Sequence, residues 1–210
     1  KNSDNSYDFP SLQAAINKAA ETPQSVDEIR LIRDIQLNEP VTIPAGLSVI
    51  LNLNGKSITQ TSDAPVSMII NDGNLTIKDS GNTGKIAFTF NGTPNNAKSA
   101  NVVANKGVLI VNGGEIINSG SGNQIGYAID NNSTSYNAVL VINGGEIKAS
   151  GSGYYDGIRQ FCNSETKENS VVVEGGEVST IWMQNPSDGA TKNTKDVNGY
   201  VAISGGTVGV

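Results

Sequence analysis

Several residue types are scarce in this 210-residue chain, and each scarcity narrows the fold classes that remain. Charged residues make up 16% of the chain and aromatic residues 5%, whereas an ordinary soluble domain is about 25% charged. Polar character comes instead from 26 Asn and 21 Ser, beside 24 Gly. This mixture favours many short strands joined by turns and argues against helical bundles. The length suffices for one sizeable folded unit.

Other absences limit the binding partners and the cellular compartment that the sequence allows. The net charge is −6 and Lys and Arg form no dense patch, which argues against binding to nucleic acid or to anionic membranes. No run of about 18 apolar residues occurs, so the sequence predicts no membrane span. The single cysteine, Cys162, excludes an internal disulfide. No signal peptide is recognisable, but a mature secreted chain would have lost one, so secretion is compatible with the sequence.

A glycine-containing turn recurs along the chain at a fixed interval. "VLIVNGGEIINSG" at 108 returns as "VLVINGGEIKASG" at 139, and the related turns "VEGGEV" and "ISGGTV" stand at 173 and 203. The residue before each glycine pair is at 112, 143, 174 and 204, at intervals of 31, 31 and 30. Each interval holds three short strand candidates, which is typical of one coil of a parallel β-helix. We therefore predict that the glycine pair turns the chain between two strands of one coil.

Alternation within the strands predicts which side chains point into the coil. The inward set is apolar throughout and comprises Leu75, Ile77, Leu109, Val111, Leu140, Ile142, Val171, Val173, Val201 and Ile203. Between these positions, the outward residues Ile110, Val141, Val172 and Ala202 form an apolar stripe. Such a stripe indicates a contact surface, covered either by the protein's own long loops or by a partner or second copy.

The N-terminal region differs in character from the repeats. Residues 1–8 are rich in Ser and Asn, and we expect a tether there. "PSLQAAINKAAE", residues 10–21, has an apolar stripe at Leu12, Ala15, Ile16 and Ala19, which predicts an amphipathic helix covering the open end of the core. We thus expect a single domain over 9–210, with a capping-helix region at 9–28 and coils at 29–210. The other end has no such cover, so we expect further chain, a neighbouring domain or a partner at that edge.

Taken together, "FPSLQAAINKAAE", "VTIPAGLSVILNLNGKSIT" and the "NGGEI" turns make residues 9–210 resemble the pectin-lyase-like superfamily, in the form found on bacterial secreted and cell-surface proteins. The resemblance implies an all-β fold, a right-handed parallel β-helix with a short N-terminal capping α-helix. It does not imply one function, because the superfamily includes polysaccharide lyases, hydrolases, adhesins and non-catalytic surface domains.

Catalytic signatures of that superfamily are sparse in this chain. Hydrolases of this type use clustered Asp with a His and an Arg-x-Lys motif, whereas this chain has no His, no adjacent Asp pair and no Arg-Ile-Lys. Lyases of this type use an Arg or Lys base, often with calcium held by several Asp. One stretch partly matches these lyase signatures, "YYDGIRQF" at 154, with Asp156 and Arg159.

Aligning the third strands of successive coils predicts one candidate ligand site. If Ile129, Ile158 and Ile181 point inward, the next residues stack outward, and Arg159 pairs with Asp130 and lies against Trp182. The preceding residues add Tyr154, Tyr155 and Asp156. Aromatic rings beside a guanidinium and a carboxylate suit a sugar ring. The alternative is a surface salt bridge with an aromatic cover that only stabilises the fold.

A second constellation follows the glycine pairs. Glu115, Glu146 and Glu177 come one coil apart, an arrangement that could bind calcium. The alternative is a row of solvated turn residues whose charge is offset by Lys85 and Lys148. We expect no cofactor.

These observations favour a non-catalytic, extracellular or cell-surface domain used for binding or adhesion, with a polysaccharide or a host or cell-surface glycan as partner. A polysaccharide lyase or glycoside hydrolase that uses Arg159 is the first alternative. The second is a structural spacer within a larger surface protein.

Overall fold

The computed structural model describes residues 8–21, 26–94, 98–121, 124–133, 137–161, 168–184 and 199–209. The expected tether (except Asp8), Cys162 and residues 185–198 lie outside these described residues.

The described residues form one short helix and a stack of parallel strands. The helix is α1 (Leu12–Ala19). The strands in the first half of the chain are β1 (Asp27–Arg30), β2 (Ile35–Gln36), β3 (Val41–Ile43), β4 (Ser48–Asn52), β5 (Ser57–Ser62), β6 (Ser67–Asn71), β7 (Asn74–Lys78) and β8 (Lys85–Phe90). Those in the second half are β9 (Ser99–Asn105), β10 (Val108–Gly120), β11 (Ile125–Asn131), β12 (Val139–Gly151), β13 (Tyr154–Phe161), β14 (Asn169–Val173), β15 (Glu177–Val178), β16 (Ile181–Gln184), β17 (Gly199–Ile203) and β18 (Thr207–Val208).

Strands at equivalent positions of successive coils pair in parallel, so the fold is a parallel β-helix, as the repeat predicts. One sheet of 12 strands contains the series β1, β4, β7, β10, β12, β14 and β17, and its remaining members β2, β5, β8, β15 and β18 follow the corner. A separate six-stranded sheet runs in the order β16, β13, β11, β9, β6, β3. The predicted third strands of the coils form this second sheet.

The glycine pairs form the corners of the coil, as predicted. The second glycine of each pair has a positive φ, +87° at Gly145 for example, which glycine adopts at little cost. A Cβ at Gly145 would also collide with the carbonyl oxygen of Gly114 in the preceding coil. In the two middle coils the strand continues through the corner, so β10 and β12 are each 13 residues long, and their pairing shifts register there.

The capping helix is confirmed and is slightly shorter than predicted. Ser11 is its N-cap, and its Oγ accepts a hydrogen bond from the Ala14 N–H at 3.2 Å. The four residues of the predicted stripe are the buried residues of α1. Leu12, Ile16 and Ala19 belong to the same buried cluster as the strand side chains, so the helix extends the core over the first coil.

Alternation holds along the 12-stranded sheet but not along the six-stranded sheet. The predicted inward residues from Leu75 to Val173 are at most 2% exposed. In the six-stranded sheet, two consecutive residues point inward in each of several strands, for example Val102 with Val103 and Ala128 with Ile129. The residue before such a pair therefore faces outward, which strict alternation does not predict.

A row of amide side chains runs inside the stack beside the apolar core. Asn71, Asn105, Asn131 and Gln160 are fully buried. Each donates to the next through its side-chain nitrogen, at 2.7, 2.7 and 2.6 Å along the row. The same nitrogens also donate to backbone carbonyls, such as that of Val139 from Asn105 at 3.0 Å. The row thus satisfies backbone groups where the chain leaves the six-stranded sheet.

The last coil leaves its inward residues uncovered. Ile203 is 55% exposed and Met183 is 50% exposed, although the equivalent residues of preceding coils are buried. No helix among the described residues is long and apolar enough to cross a membrane.

Candidate functional site

The candidate site lies on the outer face of the six-stranded sheet. Parallel pairing of β11 with β13 places Asp130 opposite Arg159, and pairing of β13 with β16 places Arg159 opposite Trp182. The predicted register and the Arg159–Asp130 ion pair are therefore present. The guanidinium, predicted to lie against Trp182, lies over the rings of Tyr127 and Phe161.

Arg159 and Asp130 form a two-point ion pair. The Arg159 Nε donates to Asp130 Oδ1 at 2.7 Å, and Nη2 donates to Oδ2 at 2.6 Å. The remaining guanidinium nitrogen, Nη1, donates to Gln184 Oε1 at 3.2 Å. The planar fork of the guanidinium matches both carboxylate oxygens, so its orientation is fixed.

This pair is largely removed from solvent. The side chains of Arg159 and Asp130 are 15% and 8% exposed. Burial raises the pKa of the Asp130 carboxyl, and the hydrogen bonds and charge of Arg159 oppose that rise. Burial alone would lower the pKa of Arg159, but the hydrogen bonds and charge of Asp130 outweigh it and raise the pKa. Arg159 therefore stays protonated and acts as a hydrogen-bond donor.

Tyr127 is the residue of this site that alternation does not predict. It pairs in register with Asp156, just before the two inward residues Ala128 and Ile129. Its ring therefore faces outward, where the Arg159 guanidinium carbon lies 4.8 Å from the ring centroid. The side chain is 1% exposed, and burial raises the pKa of its hydroxyl to about 12.

Trp182 packs against Tyr127, which in turn contacts the Arg159 guanidinium. The two ring centroids are 6.0 Å apart with planes tilted by 30°, within the range of favourable aromatic pairs. The second ring under the guanidinium is that of Phe161, at 5.1 Å. Trp182 itself is 40% exposed, so it presents part of its indole to solvent above a rigid support.

Tyr154 and Asp156 extend the same face along β13. Tyr154 is 69% exposed, and Asp156 Oδ1 accepts a hydrogen bond from Thr180 Oγ1 at 3.2 Å. Tyr154 precedes Arg159 by five residues, roughly 16 Å along an extended strand. Two exposed aromatic rings therefore flank a polar strip; this surface of Tyr154, Asp156, Arg159 and Trp182 is called the aromatic face below.

Tyr155 is separated from the other predicted site residues. Its ring lies in a cradle formed by Gly120, Gly126 and Gly151, where any Cβ would overlap it. Its hydroxyl is buried and finds no hydrogen-bond partner among the described residues, and burial raises the pKa of that hydroxyl. Tyr155 therefore packs between coils, and its hydroxyl does not reach the aromatic face. The available signal was a glycine at two equivalent positions, Gly120 and Gly151, with a third, Gly126, in register with Tyr155.

The glutamate row is present at the glycine-pair corner of the coil, away from the six-stranded sheet. Glu115, Glu146 and Glu177 lie in register in successive coils. Lys148, as predicted, forms ion pairs with both Glu115, at 3.5 Å, and Glu146. Lys85, the other predicted partner, lies in register with Glu115. Within the part of the chain that the structure describes, no three His, Cys, Asp or Glu side chains are grouped so that they could hold a metal ion.

In comparisons with family models, with curated proteins and with solved structures, nothing matches this chain. Its function must therefore be argued from its own residues.

Proposed function

We propose that this chain is a non-catalytic domain of a secreted or cell-surface protein, of the right-handed pectin-lyase-like type, that binds glycans through the aromatic face. The observation that carries the proposal is the half-exposed Trp182 lying on a buried Tyr127 beside a fully paired guanidinium.

The arrangement suits a sugar because a sugar ring has apolar faces and a hydrogen-bonding rim. Trp182 and Tyr154 offer exposed ring surface for the apolar faces, and Asp156 and Gln184 offer oxygen acceptors for hydroxyl groups. Trp182 is supported by Tyr127, and Arg159 by two hydrogen bonds to Asp130. Little side-chain freedom is lost when a ligand binds to such a preorganised surface.

Charge favours a neutral glycan over a polyuronate. The positive charge of Arg159 is already neutralised by Asp130 at 2.6 Å, and Asp156 adds a carboxylate to the same face. The chain as a whole has a net charge of −6. An acidic polysaccharide would meet net repulsion here.

The pairing of Arg159 with Asp130 argues against Arg159 as the general base of a lyase. A general base must lose its proton near neutral pH, whereas the paired Asp130 raises the pKa of Arg159. Its three donor nitrogens are also engaged by Asp130 and Gln184.

The proposal is tested by screening the purified chain on a glycan array and measuring the hits by calorimetry. We expect binding to neutral oligosaccharides, and a loss of at least about tenfold in affinity on Trp182→Ala, because an exposed aromatic anchor is removed. Tyr200→Ala is the matched control, since Tyr200 is 46% exposed but lies on the 12-stranded sheet. It should bind as the unmodified chain does.

Two other outcomes would contradict the proposal. Release of new reducing ends or unsaturated products from uronate or neutral polysaccharides would favour the lyase or hydrolase alternative. Absence of binding to every glycan, together with full function of the parent protein when the domain is replaced by a spacer of equal length, would favour the spacer alternative.

A further inference from the structure

A second surface, on the outer side of the 12-stranded sheet, has an apolar centre. Residues in register along β4, β7, β10, β12, β14 and β17 form its middle row. This row, called the apolar row below, comprises Ile50, Thr76, Ile110, Val141, Val172 and Ala202. Its members from Ile50 to Val172 are partly exposed and Ala202 is exposed. Val108 and Val139 lie beside the two central members, also in register and partly exposed.

The apolar row is complementary to itself when it is reversed. A two-fold axis parallel to the strands, placed between β10 and β12, would set Ile110 against Val141 of a second copy. The next pairs outward would be Thr76 with Val172, then Ile50 with Ala202, so the larger apolar side chain meets the smaller at the outermost pair. Two-fold dimers require such a self-complementary patch.

The charged residues along the edge of this face are also complementary under the same two-fold axis. At the β1 to β7 end, the outward positions hold Arg30, Lys78 and Glu28, and Glu28 pairs with Lys78 at 2.8 Å. Asp27 of β1 is in register with the buried Val49 and so belongs to the inward positions. The other end holds the exposed Glu174, in the row that continues through Asn112 and Asn143. The axis that pairs Thr76 with Val172 also brings Lys78 of one copy to Glu174 of the other. A net positive end therefore meets a negative end, twice per dimer.

The size of the face sets the expected strength of association. Six strands about 4.8 Å apart, each contributing about five residues of 3.3 Å, cover roughly 24 by 15 Å. Two faces of this size bury roughly 700 Å², which is below the about 1,000 Å² of a stable interface and falls among weak, transient ones. A weak, concentration-dependent association follows.

We propose that the apolar row is the interface of a two-fold symmetric dimer of this chain. The dimer leaves the six-stranded sheet uncovered, so each dimer would display two aromatic faces. The inference does not depend on the proposed function, because it is read from a different sheet and tested without a glycan.

Light scattering coupled to size-exclusion chromatography over a concentration series tests the proposal. We expect a monomer–dimer equilibrium whose dissociation constant rises at least about tenfold on Val141→Lys, because a charge is placed at the centre of the apolar row. Thr89→Lys is the matched control; Thr89 is partly exposed on the outer side of β8, beyond the corner. It should leave the equilibrium unchanged. A chain that stays monomeric at the highest concentration, or a dimer unaffected by Val141→Lys, would overturn the proposal.

Cross-linking tests the symmetry even if Val141→Lys fails to fold. In a Cys162→Ser background, Thr76→Cys and Val172→Cys variants are mixed and treated with a short bismaleimide, which suits packed sheets about 10 Å apart. We expect the mixture to yield a covalent dimer several times faster than either variant alone. Equal yields from the separate variants, or cross-linking in neither sample, would contradict the two-fold arrangement.

Discussion

At the scale of single residues, the Arg159–Asp130 pair shows how the site is held in place. Two charged side chains lie nearly out of solvent, and each satisfies the other through two hydrogen bonds. A buried pair of this kind adds little net stability over apolar residues, but breaking it is costly because one charge remains unpaired. The pair therefore acts mainly to orient the surfaces around it.

A double-mutant cycle on this pair follows directly. Arg159→Ala and Asp130→Ala should each lower the free energy of unfolding by about 3–5 kcal/mol, because each leaves a buried charge without its partner. The double variant should lose clearly less than the sum of the two, since no unpaired charge then remains. Urea denaturation measures all three. Additive losses would show that the two residues do not interact in solution.

Elements are held together by polar rows as well as by the apolar core. In the interior, Asn105 donates to Asn131 and to the Val139 carbonyl. On the surface, Asn143 donates to Asn112 at 2.8 Å in a similar ladder between coils. The two ladders use the same amide–amide hydrogen bond and differ in burial. Comparing variants of the two therefore distinguishes the cost of leaving buried groups unsatisfied from the contribution of the hydrogen bond itself.

Asn105→Ala and Asn112→Ala provide that comparison. Asn105→Ala should lower the free energy of unfolding by roughly 2–4 kcal/mol, because it leaves buried carbonyl and amide groups unsatisfied. Asn112→Ala should cost less than about 0.5 kcal/mol, because water replaces the lost partner. Chemical denaturation of both variants measures the difference. Similar losses at the two positions would contradict the role of the interior row.

Two glycines, Gly145 in a glycine-pair corner and Gly46 in the turn between β3 and β4, allow a second matched comparison at the scale of elements. Gly46 and Gly145 both have positive φ, +82° and +87°, but a Cβ at Gly46 would meet nothing within 4 Å. Gly46→Ala should therefore cost about 1 kcal/mol, the conformational penalty alone. Gly145→Ala should cost about 1–3 kcal/mol more, because it also displaces the Gly114 carbonyl of the neighbouring coil. Equal losses in thermal or urea unfolding would mean that the corners are not tightly stacked.

At the scale of the whole molecule, the fold could be predicted because the sequence repeat determines how the coils stack. A turn that returns every 30 or 31 residues, with apolar residues in alternation, specifies stacked coils. The ion pair between Arg159 and Asp130 could be predicted for the same reason, since equivalent positions of adjacent coils must lie side by side.

The remaining parts of the site depend on local departures from the repeat. Two consecutive inward residues precede Asp130, and they turn Tyr127 outward instead of inward. The cradle around Tyr155 depends on Gly151, four residues earlier, and on Gly120 and Gly126, which are contributed by the preceding coil. Alternation within one strand carries no information on either feature, because both arise from packing between coils.

Glycan binding through Trp182 is the central claim for the whole molecule, and the chain contains only one tryptophan. Its fluorescence therefore reports on the aromatic face alone. In a titration of the purified chain with neutral oligosaccharides found on an array, we predict a saturable change in emission intensity or wavelength, with a dissociation constant that agrees with calorimetry. Emission that stays constant while the glycan binds would place the ligand elsewhere and contradict the account.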